Sequence, residues 1–170
     1  GSEMCIRDRI ETLEAWDIQL VKYGSEVIKY REKFIKHLGE VCQKIHNKLT
    51  GGKEKILLEY DRDVGYDSYL TELAKKRQKD LKYSTTTVGP HRDDISFIVN
   101  GIDIRKYGSQ GQQRTAALSL KLAQIQLMRE VMKESPILLL DDVLSELDSN
   151  RKTYLLESIK DTQTIITCTG

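Results

Sequence analysis

Few cysteines and no long apolar run occur in this sequence. The three cysteines, Cys5, Cys42 and Cys168, have no paired spacing and form no C-x-x-C motif, so we expect neither a disulfide framework nor a zinc site. Few cysteines without paired spacing are typical of proteins in a reducing compartment. The sequence contains no run of about 18 apolar residues, which a transmembrane helix would need, and the N-terminus lacks the apolar segment of a signal peptide. We therefore expect a cytoplasmic location.

The sequence also lacks a charge excess of either sign. The 27 Lys and Arg residues nearly balance the 26 Asp and Glu residues, for a net charge of +1. Total charge therefore neither favours nor excludes a nucleic-acid partner. With 170 residues, 31% charged and 39% hydrophobic, the chain has the composition of an ordinary soluble protein and can bury a sizeable core in one or two domains.

The two ends do not fit the patterns of the rest. Residues 1–9 do not join the periodicity that follows, so we interpret them as a non-native leader and exclude them from fold reasoning. The chain stops at Gly170, directly after an apolar strand pattern at residues 164–169. We therefore expect a fragment.

One helical pattern dominates residues 10–49. Apolar residues recur there every seven positions, which predicts an amphipathic helix with a period near 3.5 residues. Gly24 and Gly39 are the positions at which it could be interrupted. The two stripes are Leu20, Val27, Phe34 and Val41, and Val21, Ile28, Ile35, Cys42 and Leu49. The pattern fits a projecting helical arm or, alternatively, a pair of core helices in a bundle.

A strand and a second helix follow this region. Thr50-Gly51-Gly52 ends the first helix, and residues 55–60 read as a short strand. Residues 66–83 return to helical spacing. Their apolar set is Tyr69, Leu70, Leu73, Ala74 and Leu81. We expect residues 10–83 to form the helical arm.

A hairpin is predicted after the next turn. Gly89-Pro90-His91-Arg92 breaks the chain as a turn. Residues 95–99 then alternate as a strand, and Asn100-Gly101 is a strong signal for a two-residue hairpin turn before residues 102–104. His91 and Arg92 lie where they could meet a phosphate or a neighbouring subunit, although surface or capping roles are commoner.

The residues with the clearest chemistry begin at Tyr107. Gly108-Ser109-Gln110-Gly111-Gln112-Gln113 opens a helix. Because the first amides of a helix lack intrahelical acceptors and lie at the positive end of the helix dipole, this turn predicts an anion site. Phosphate is the expected anion.

The helix that follows carries a broad apolar surface. Its apolar residues are Ala116, Ala117, Leu118, Leu120, Leu122, Ala123, Ile125, Leu127 and Val131. Near residues 133–135 the helix ends, and Pro136 prevents its continuation. The short apolar run 137–140 then reads as a strand buried on both faces, which places Asp141 and Asp142 at its carboxyl end.

Two carboxylates at that edge of a sheet fit nucleotide chemistry. They can hold Mg²⁺ directly or through water, and they can orient a water towards a phosphoryl group. Asp148 or Ser149 is predicted to cap a helix that runs to Ile159, and residues 164–169 to add a strand. Alternating strands and covering helices predict an α/β fold.

In combination, these motifs resemble a known class. The order of signature turn, helix, apolar strand with two acids, and Ser145-Glu146-Leu147-Asp148 is similar to the C-terminal half of an ABC-type ATPase head. Residues 107–115 and 89–94 resemble the RecF family of bacterial recombination and gap-repair proteins. This resemblance covers residue 10 to the end. It implies a mainly parallel sheet with covering helices over residues 84–170, and a helical arm insertion before it.

The resemblance also implies roles for individual residues. Signature residues Ser109, Gln110, Gly111 and Gln112 are expected to contact ATP bound to another subunit. Asp141 resembles the Walker B acid that associates with Mg²⁺, and Asp142 takes the catalytic position where many relatives have glutamate. Because Asp is one methylene shorter, slow hydrolysis is expected. Ser145 and Asp148 resemble the D-loop.

Partners follow from the same resemblance. It implies an ATP-dependent homodimer on DNA near junctions of single and double strands, acting with RecR and RecO in gap repair without sequence preference. The alternatives are the head of another SMC-like ATPase, such as a RecN-type protein, or a non-catalytic helical interaction module.

One motif of the class is missing from this chain. No G-x-x-x-x-G-K-[ST] phosphate loop, the Walker A motif, occurs in the 170 residues. The amides and lysine of that loop hold the β- and γ-phosphates within a subunit. We therefore expect ATPase activity from the longer parent and none from this chain alone.

Overall fold

The computed structural model describes residues 2–133, 135–141, 143–144 and 147–167, with side chains from residue 12 onwards. The predicted site residues Asp142 and Ser145 lie outside the described residues. So does the predicted strand end at residues 168–169. Among the described residues, no helix is both long and apolar enough to cross a membrane.

Two compact units make up the chain. The first unit comprises residues 1–35 and 59–96, and the second comprises residues 36–58 and 97–170. The boundary expected after residue 83, between arm and head, stays a prediction.

The first helix is continuous. Helix α1 spans Ser2–Leu49, so neither Gly24 nor Gly39 interrupts it. The heptad pattern therefore predicted the helix over residues 10–49, but the helix begins earlier, at Ser2. It ends at residues 50–52, where Gly51 and Gly52 both have positive φ angles, as expected for glycines after a helix.

In the first unit, only one of the two predicted stripes of α1 is buried. Ile28 is fully buried and Ile35 is 6% exposed, whereas Leu20, Val27 and Phe34 are 42%, 40% and 52% exposed. The exposed set continues at heptad spacing. It comprises Trp16, Leu20, Tyr23, Val27, Tyr30 and Phe34.

The core of the first unit forms around Ile28. It packs with Val64, Val88 and residues of α2, the helix Tyr69–Tyr83. Only Tyr69 and Leu73 of α2 are buried. The other members of the apolar set, Leu70, Ala74 and Leu81, are exposed.

In the second unit, α1 is buried much more broadly. Leu38, Val41, Cys42, Ile45 and Leu49 are each at most 7% exposed. His46 is fully buried beside them. Val41 therefore joins the core, although other members of its stripe are exposed in the first unit.

Three strands form the first sheet, in the order β1-β2-β3. They span Ile56–Asp61, Asp94–Val99 and Ile102–Asp103. β2 and β3 are antiparallel, with Val99 opposite Ile102. Asn100 and Gly101 both have positive φ angles, which is the geometry of the predicted two-residue turn.

A short helix, α3, spans Ile104–Tyr107, and the long helix α4 spans Gln110–Met132. α4 ends as predicted, with Lys133 in the left-handed conformation. Its buried face differs from the prediction at three positions: Leu120 is half-buried, Ala117 is exposed and Val131 is 80% exposed.

The second sheet is a parallel pair. β4 spans Leu138–Asp141 and β5 spans Thr164–Thr167, with Leu139 opposite Ile165. Helix α5, Ser149–Ile159, connects them, and its Leu155 is fully buried. A strand, a helix and a parallel strand in this order form a βαβ unit.

The prediction that β4 is buried on both faces was wrong. Leu138 and Leu140 are buried, but Leu139 is 68% exposed and Ile165 beside it is 56% exposed. Side chains alternate across a strand, and the described chain covers only one face of this pair.

Candidate functional site

The predicted signature residues lie at the start of α4. The Ser109 side chain accepts a hydrogen bond from the Gln112 amide at 3.2 Å, and the Gln112 side chain accepts one from the Ser109 amide at 3.1 Å. This reciprocal arrangement is a capping box, and it satisfies two of the donors that a helix N-terminus leaves open.

Two amides of the turn remain for another group. Gln110 and Gly111 occupy the first two positions of α4, where an amide has no acceptor within its own helix. Ser109, Gln110 and Gly111 are exposed. The turn therefore presents donors to solvent at the positive end of a 23-residue helix.

The two glycines of the turn serve different purposes. A Cβ on Gly108 would lie 2.6 Å from both Cβ and the carbonyl oxygen of Ile104, so packing against α3 requires glycine there. A Cβ on Gly111 would meet nothing nearer than Ser109 Oγ, at 4.0 Å. Packing among the described residues does not explain Gly111, although glycine disfavours a helix by about 1 kcal/mol relative to alanine.

Asp141 ends β4, as the sequence predicted. Its side chain is exposed and accepts a hydrogen bond from the hydroxyl of Thr167, the residue opposite it in β5. The carboxylate therefore lies at the carboxyl edge of the parallel pair, which is where α/β sheets bind ligands. The described residues contain no cluster of three or more metal-ligating side chains.

A cavity of about 330 Å³ lies between α4 and this edge. Its α4 wall includes Arg114 and Lys121, and its other wall includes Asp141 and Leu147. The signature residues Ser109 to Gln112 do not line it. Asp141 and the α4 turn are thus in one unit, but the described chain does not bring them into a common cavity.

Asp148 caps α5. Its carboxylate accepts a hydrogen bond from the Arg151 amide at 3.0 Å and lies 3.4 Å from Arg151 Nε. The predicted capping role is confirmed, and a further role in the D-loop stays a prediction. Asp142 and Ser145 lie outside the described residues, so their predicted roles also stay predictions.

Sequence reasoning missed a polar chain that reaches the capping box from α1. Gln112 Nε2 donates to Glu54 Oε1 at 3.2 Å, and Glu54 Oε2 lies 3.1 Å from His46 Nε2. His46 Nδ1 lies 2.9 Å from Ser119 Oγ. These residues are far apart in sequence, and no local pattern marks Glu54 as a partner of Gln112.

Burial determines the charge state of His46. It lowers the pKa of the imidazole, and the nearby Arg151 adds to this, although Glu54 opposes it. A neutral ring with its proton on Nε2 fits the partners, because the Glu54 carboxylate can only accept. The Ser119 hydroxyl then lies between two acceptors, His46 Nδ1 and the Thr115 carbonyl oxygen at 2.7 Å.

The Gly89-Pro90-His91-Arg92 motif has a structural explanation in the first unit. The Gly89 amide donates to Asp63 at 3.0 Å, and a Cβ on Gly89 would overlap the Tyr69 hydroxyl. His91 Nε2 contacts the Thr86 carbonyl oxygen at 2.8 Å. Arg92 Nε lies 4.0 Å from Asp63.

Asp93, the residue after this motif, bonds to three other residues of the first unit. Its side chain is only 1% exposed, lies 3.3 Å from Arg31 and accepts the Asp63 amide at 2.9 Å. It also accepts the Tyr60 hydroxyl, and burial together with this bond raises the pKa of Tyr60 to about 12. A carboxylate with three donors is well satisfied when buried.

Comparisons with known proteins identify relatives over nearly the whole chain. The chain is 58% identical over 163 residues to the DNA replication and repair protein RecF of Agathobacter rectalis, covering 96% of this chain and 45% of that relative. RecF of Lachnospira eligens is 56% identical over 161 residues, covering 95% of this chain and 44% of that relative. No family model matches.

This chain is homologous to RecF. A solved structure of the recombination mediator protein RecF with ATP, in the RecFOR pathway, matches with a TM-score of 0.82 and 38% identity, covering 94% of this chain and 45% of that one. The predicted resemblance to the C-terminal part of RecF and the predicted α/β class are confirmed. The chain spans about half the length of the RecF proteins that it matches.

Proposed function

We propose that this chain supplies the signature half of an ATPase head in a RecF-type DNA repair protein of the cytoplasm. The observation that carries the proposal is Gly111. It leaves an open space beside two exposed amides at the start of α4, and packing within the part of the chain that the structure describes gives no reason for this glycine. Close approach of a phosphate to the backbone is such a reason.

The residues present fit a nucleotide phosphate at this turn. The amides of Gln110 and Gly111 would donate to the γ-phosphate of ATP held by a second copy, and the Ser109–Gln112 capping box would hold the turn in place. When bound, ATP with Mg²⁺ supplies the phosphates that link the two copies and the bond that is hydrolysed. ATP is therefore expected to favour a homodimer.

Acidic residues would serve the nucleotide held by the same copy. Asp141, exposed at the carboxyl edge of the parallel pair, would hold Mg²⁺ directly or through water. Asp142 would orient the attacking water as a general base, and its short side chain is expected to make hydrolysis slow. Ser145 and Asp148 would contact the second copy as part of the D-loop.

The biological partners follow from the relatives. Both curated relatives are named as DNA replication and repair proteins, and the solved RecF is described as part of the RecFOR pathway. We propose DNA at junctions of single and double strands as the substrate, with RecO and RecR as partners. Contacts to phosphates would make binding independent of sequence and sensitive to salt.

A chimaera tests the nucleotide role. In it, the chain replaces the matching 45% of the Agathobacter rectalis RecF, and the remainder is expected to supply the phosphate loop. Sedimentation velocity should show dimers with a slowly hydrolysed ATP analogue and monomers without it. Gly111→Ala should abolish the ATP-dependent dimer, because the added methyl group lies beside the phosphate-binding amides.

The same substitution in the 170-residue chain provides the control. Because a Cβ at position 111 meets no atom nearer than 4.0 Å, Gly111→Ala should leave the free energy of unfolding unchanged or raise it by up to about 1 kcal/mol. A chimaera that dimerises equally well with and without Gly111→Ala would overturn the proposed site.

Asp142 has its own test. In the chimaera, Asp142→Asn should slow single-turnover ATP hydrolysis by about 10²-fold or more, since a general base typically contributes 10²- to 10⁴-fold, while ATP binding persists. An unchanged hydrolysis rate would remove Asp142 from the catalytic role.

A further inference from the structure

The Gln112 side chain is held at both of its polar atoms. Its Oε1 accepts the Ser109 amide, which closes the capping box, and its Nε2 donates to Glu54 at 3.2 Å. In a capping box alone, the side chain at the position of Gln112 is held only by its bond to the capping residue. Here the second bond fixes the orientation of the amide that closes the box.

Glu54 is fixed in turn by a buried group. It lies in the segment between α1 and β1, with its side chain 21% exposed, and its Oε2 accepts from His46. The His46 side chain is 0% exposed, and its other nitrogen contacts Ser119 on α4, a residue that is itself fully buried. The chain of contacts therefore leaves α4 at Gln112 and returns to α4 two turns later.

We propose that Glu54, anchored by His46, is a positioning residue that sets the geometry of the phosphate-binding turn through Gln112. This inference rests on the proposed function for its nucleotide role. Glu54 does not touch the proposed phosphate position. It acts on the Gln112 side chain, which accepts a hydrogen bond from the Ser109 amide. Through this bond, Gln112 sets the backbone conformation that leads into Gln110 and Gly111.

A purely structural role for Glu54 makes a different prediction. If Glu54 only satisfied the buried His46, the bond to Gln112 would be incidental, and changing Gln112 would alter nothing at the turn beyond the cap itself. The two roles separate when the donor and the acceptor of the Glu54–Gln112 bond are exchanged.

The decisive experiment exchanges these two side chains. Glutamate is a usual residue at this position of a capping box, so Gln112→Glu retains an acceptor for the Ser109 amide. It also replaces the hydrogen bond to Glu54 by repulsion between two carboxylates. Adding Glu54→Gln restores the bond in reverse, because the new amide at position 54 donates to the new carboxylate while its oxygen still accepts from His46. A double-mutant cycle then isolates the pair.

Two measurements apply to these variants. In the 170-residue chain, amide hydrogen exchange at positions 109 and 112 should accelerate about five- to tenfold in Gln112→Glu, as expected for loss of one hydrogen bond, and should return to the original rate in the double variant. In the chimaera, Gln112→Glu should weaken ATP-dependent dimerisation without changing ATP affinity of the monomer, and the double variant should restore dimerisation.

Glu130→Gln is the matched control. Glu130 also lies on α4, but its side chain is 49% exposed, and its contacts are with His37 at 3.7 Å and Gln126 at 3.1 Å, away from the turn. This variant should match the original protein in both measurements.

Each outcome is decisive. Gln112→Glu behaving like the original protein, or a double variant that stays defective, overturns the positioning role. If the original chimaera itself does not dimerise with ATP, the proposed function fails and the nucleotide role of Glu54 fails with it. Normal dimerisation of the original chimaera with no effect of the exchange overturns this inference alone.

Discussion

The two parts of α1 share one heptad pattern but differ in burial. In the first unit, six large apolar residues at heptad spacing, from Trp16 to Phe34, are 40–74% exposed. In the second unit, Leu38, Val41 and Ile45 are each at most 7% exposed. The spacing of apolar residues thus predicts that a helix forms, whereas the elements that pack on it decide which side is buried.

The largest expected effect contrasts neighbouring residues of α1 in the first unit. Ile28→Ala should lower the free energy of unfolding by about 2–4 kcal/mol, because Ile28 is fully buried in the core and its removal leaves a cavity. Val27→Ala, at a 40% exposed position, should change it by about 0.5 kcal/mol or less. Urea denaturation measures both, and equal losses would contradict the burial of only one stripe.

The two glycines of α1 give opposite expectations. A Cβ on Gly24 would lie 2.7 Å from Cε1 of Tyr69, whereas a Cβ on Gly39 would make an ordinary 3.5 Å contact with Leu58. Gly24→Ala should therefore destabilise the chain by about 1–3 kcal/mol through overpacking. Gly39→Ala should stabilise it by about 0.5–1 kcal/mol through helix propensity.

Thermal unfolding of the two glycine variants provides the measurement. A rise in Tm for Gly24→Ala would show that Tyr69 moves aside, and the close packing of α1 on α2 would then be wrong.

His46 makes the stability of the second unit depend on pH. Burial lowers the pKa of His46 in the folded state, so the unfolded state binds more protons once the pH falls below about 6.5, the ordinary value for histidine. The free energy of unfolding should therefore decrease as the pH is lowered from 7.5 to 5.5. Glu54 and Arg151 are the charged groups that act on the ring.

His46→Gln is the comparison for that effect. It removes the titrating group, so the part of the pH dependence due to His46 should disappear from denaturation curves recorded at each pH. An identical pH dependence in the variant would contradict a neutral buried imidazole.

The smallest effect concerns the reactivity of one thiol. Cys42 is fully buried in the second unit, and burial raises its pKa to about 12. Because the thiolate is the reactive form, iodoacetamide at pH 8 should leave Cys42 unmodified until the chain unfolds. Peptide mapping by mass spectrometry measures this, and rapid modification in the folded chain would contradict the burial of this end of α1.

Local signals predicted the parts of the fold that depend on few neighbours. Asn100-Gly101 predicted the hairpin turn, and the Gly/Ser sequence at Ser109 predicted a helix N-terminus, because turn and cap chemistry act within four residues. Asp148 was predicted as a cap for the same reason.

Features that depend on distant residues were not predicted. The exposure of Leu139 reflects which face of β4 is covered, and the Glu54–Gln112 bond joins residues 58 positions apart. Neither follows from a local pattern. Gly111 belongs partly to each group. Its place in the turn was predicted from the sequence, but only the structure showed that packing among the described residues does not require glycine there.

The most direct test of the account asks whether the signature turn acts on ATP held by another copy. Two chimaeras are mixed, one with Gly111→Ala and one with the phosphate-loop lysine replaced by alanine. Neither should dimerise alone with a slowly hydrolysed ATP analogue. If the turn acts between copies, the mixture retains one intact site per pair, and sedimentation should show mixed dimers. A mixture that stays monomeric while the unsubstituted chimaera dimerises would contradict the account.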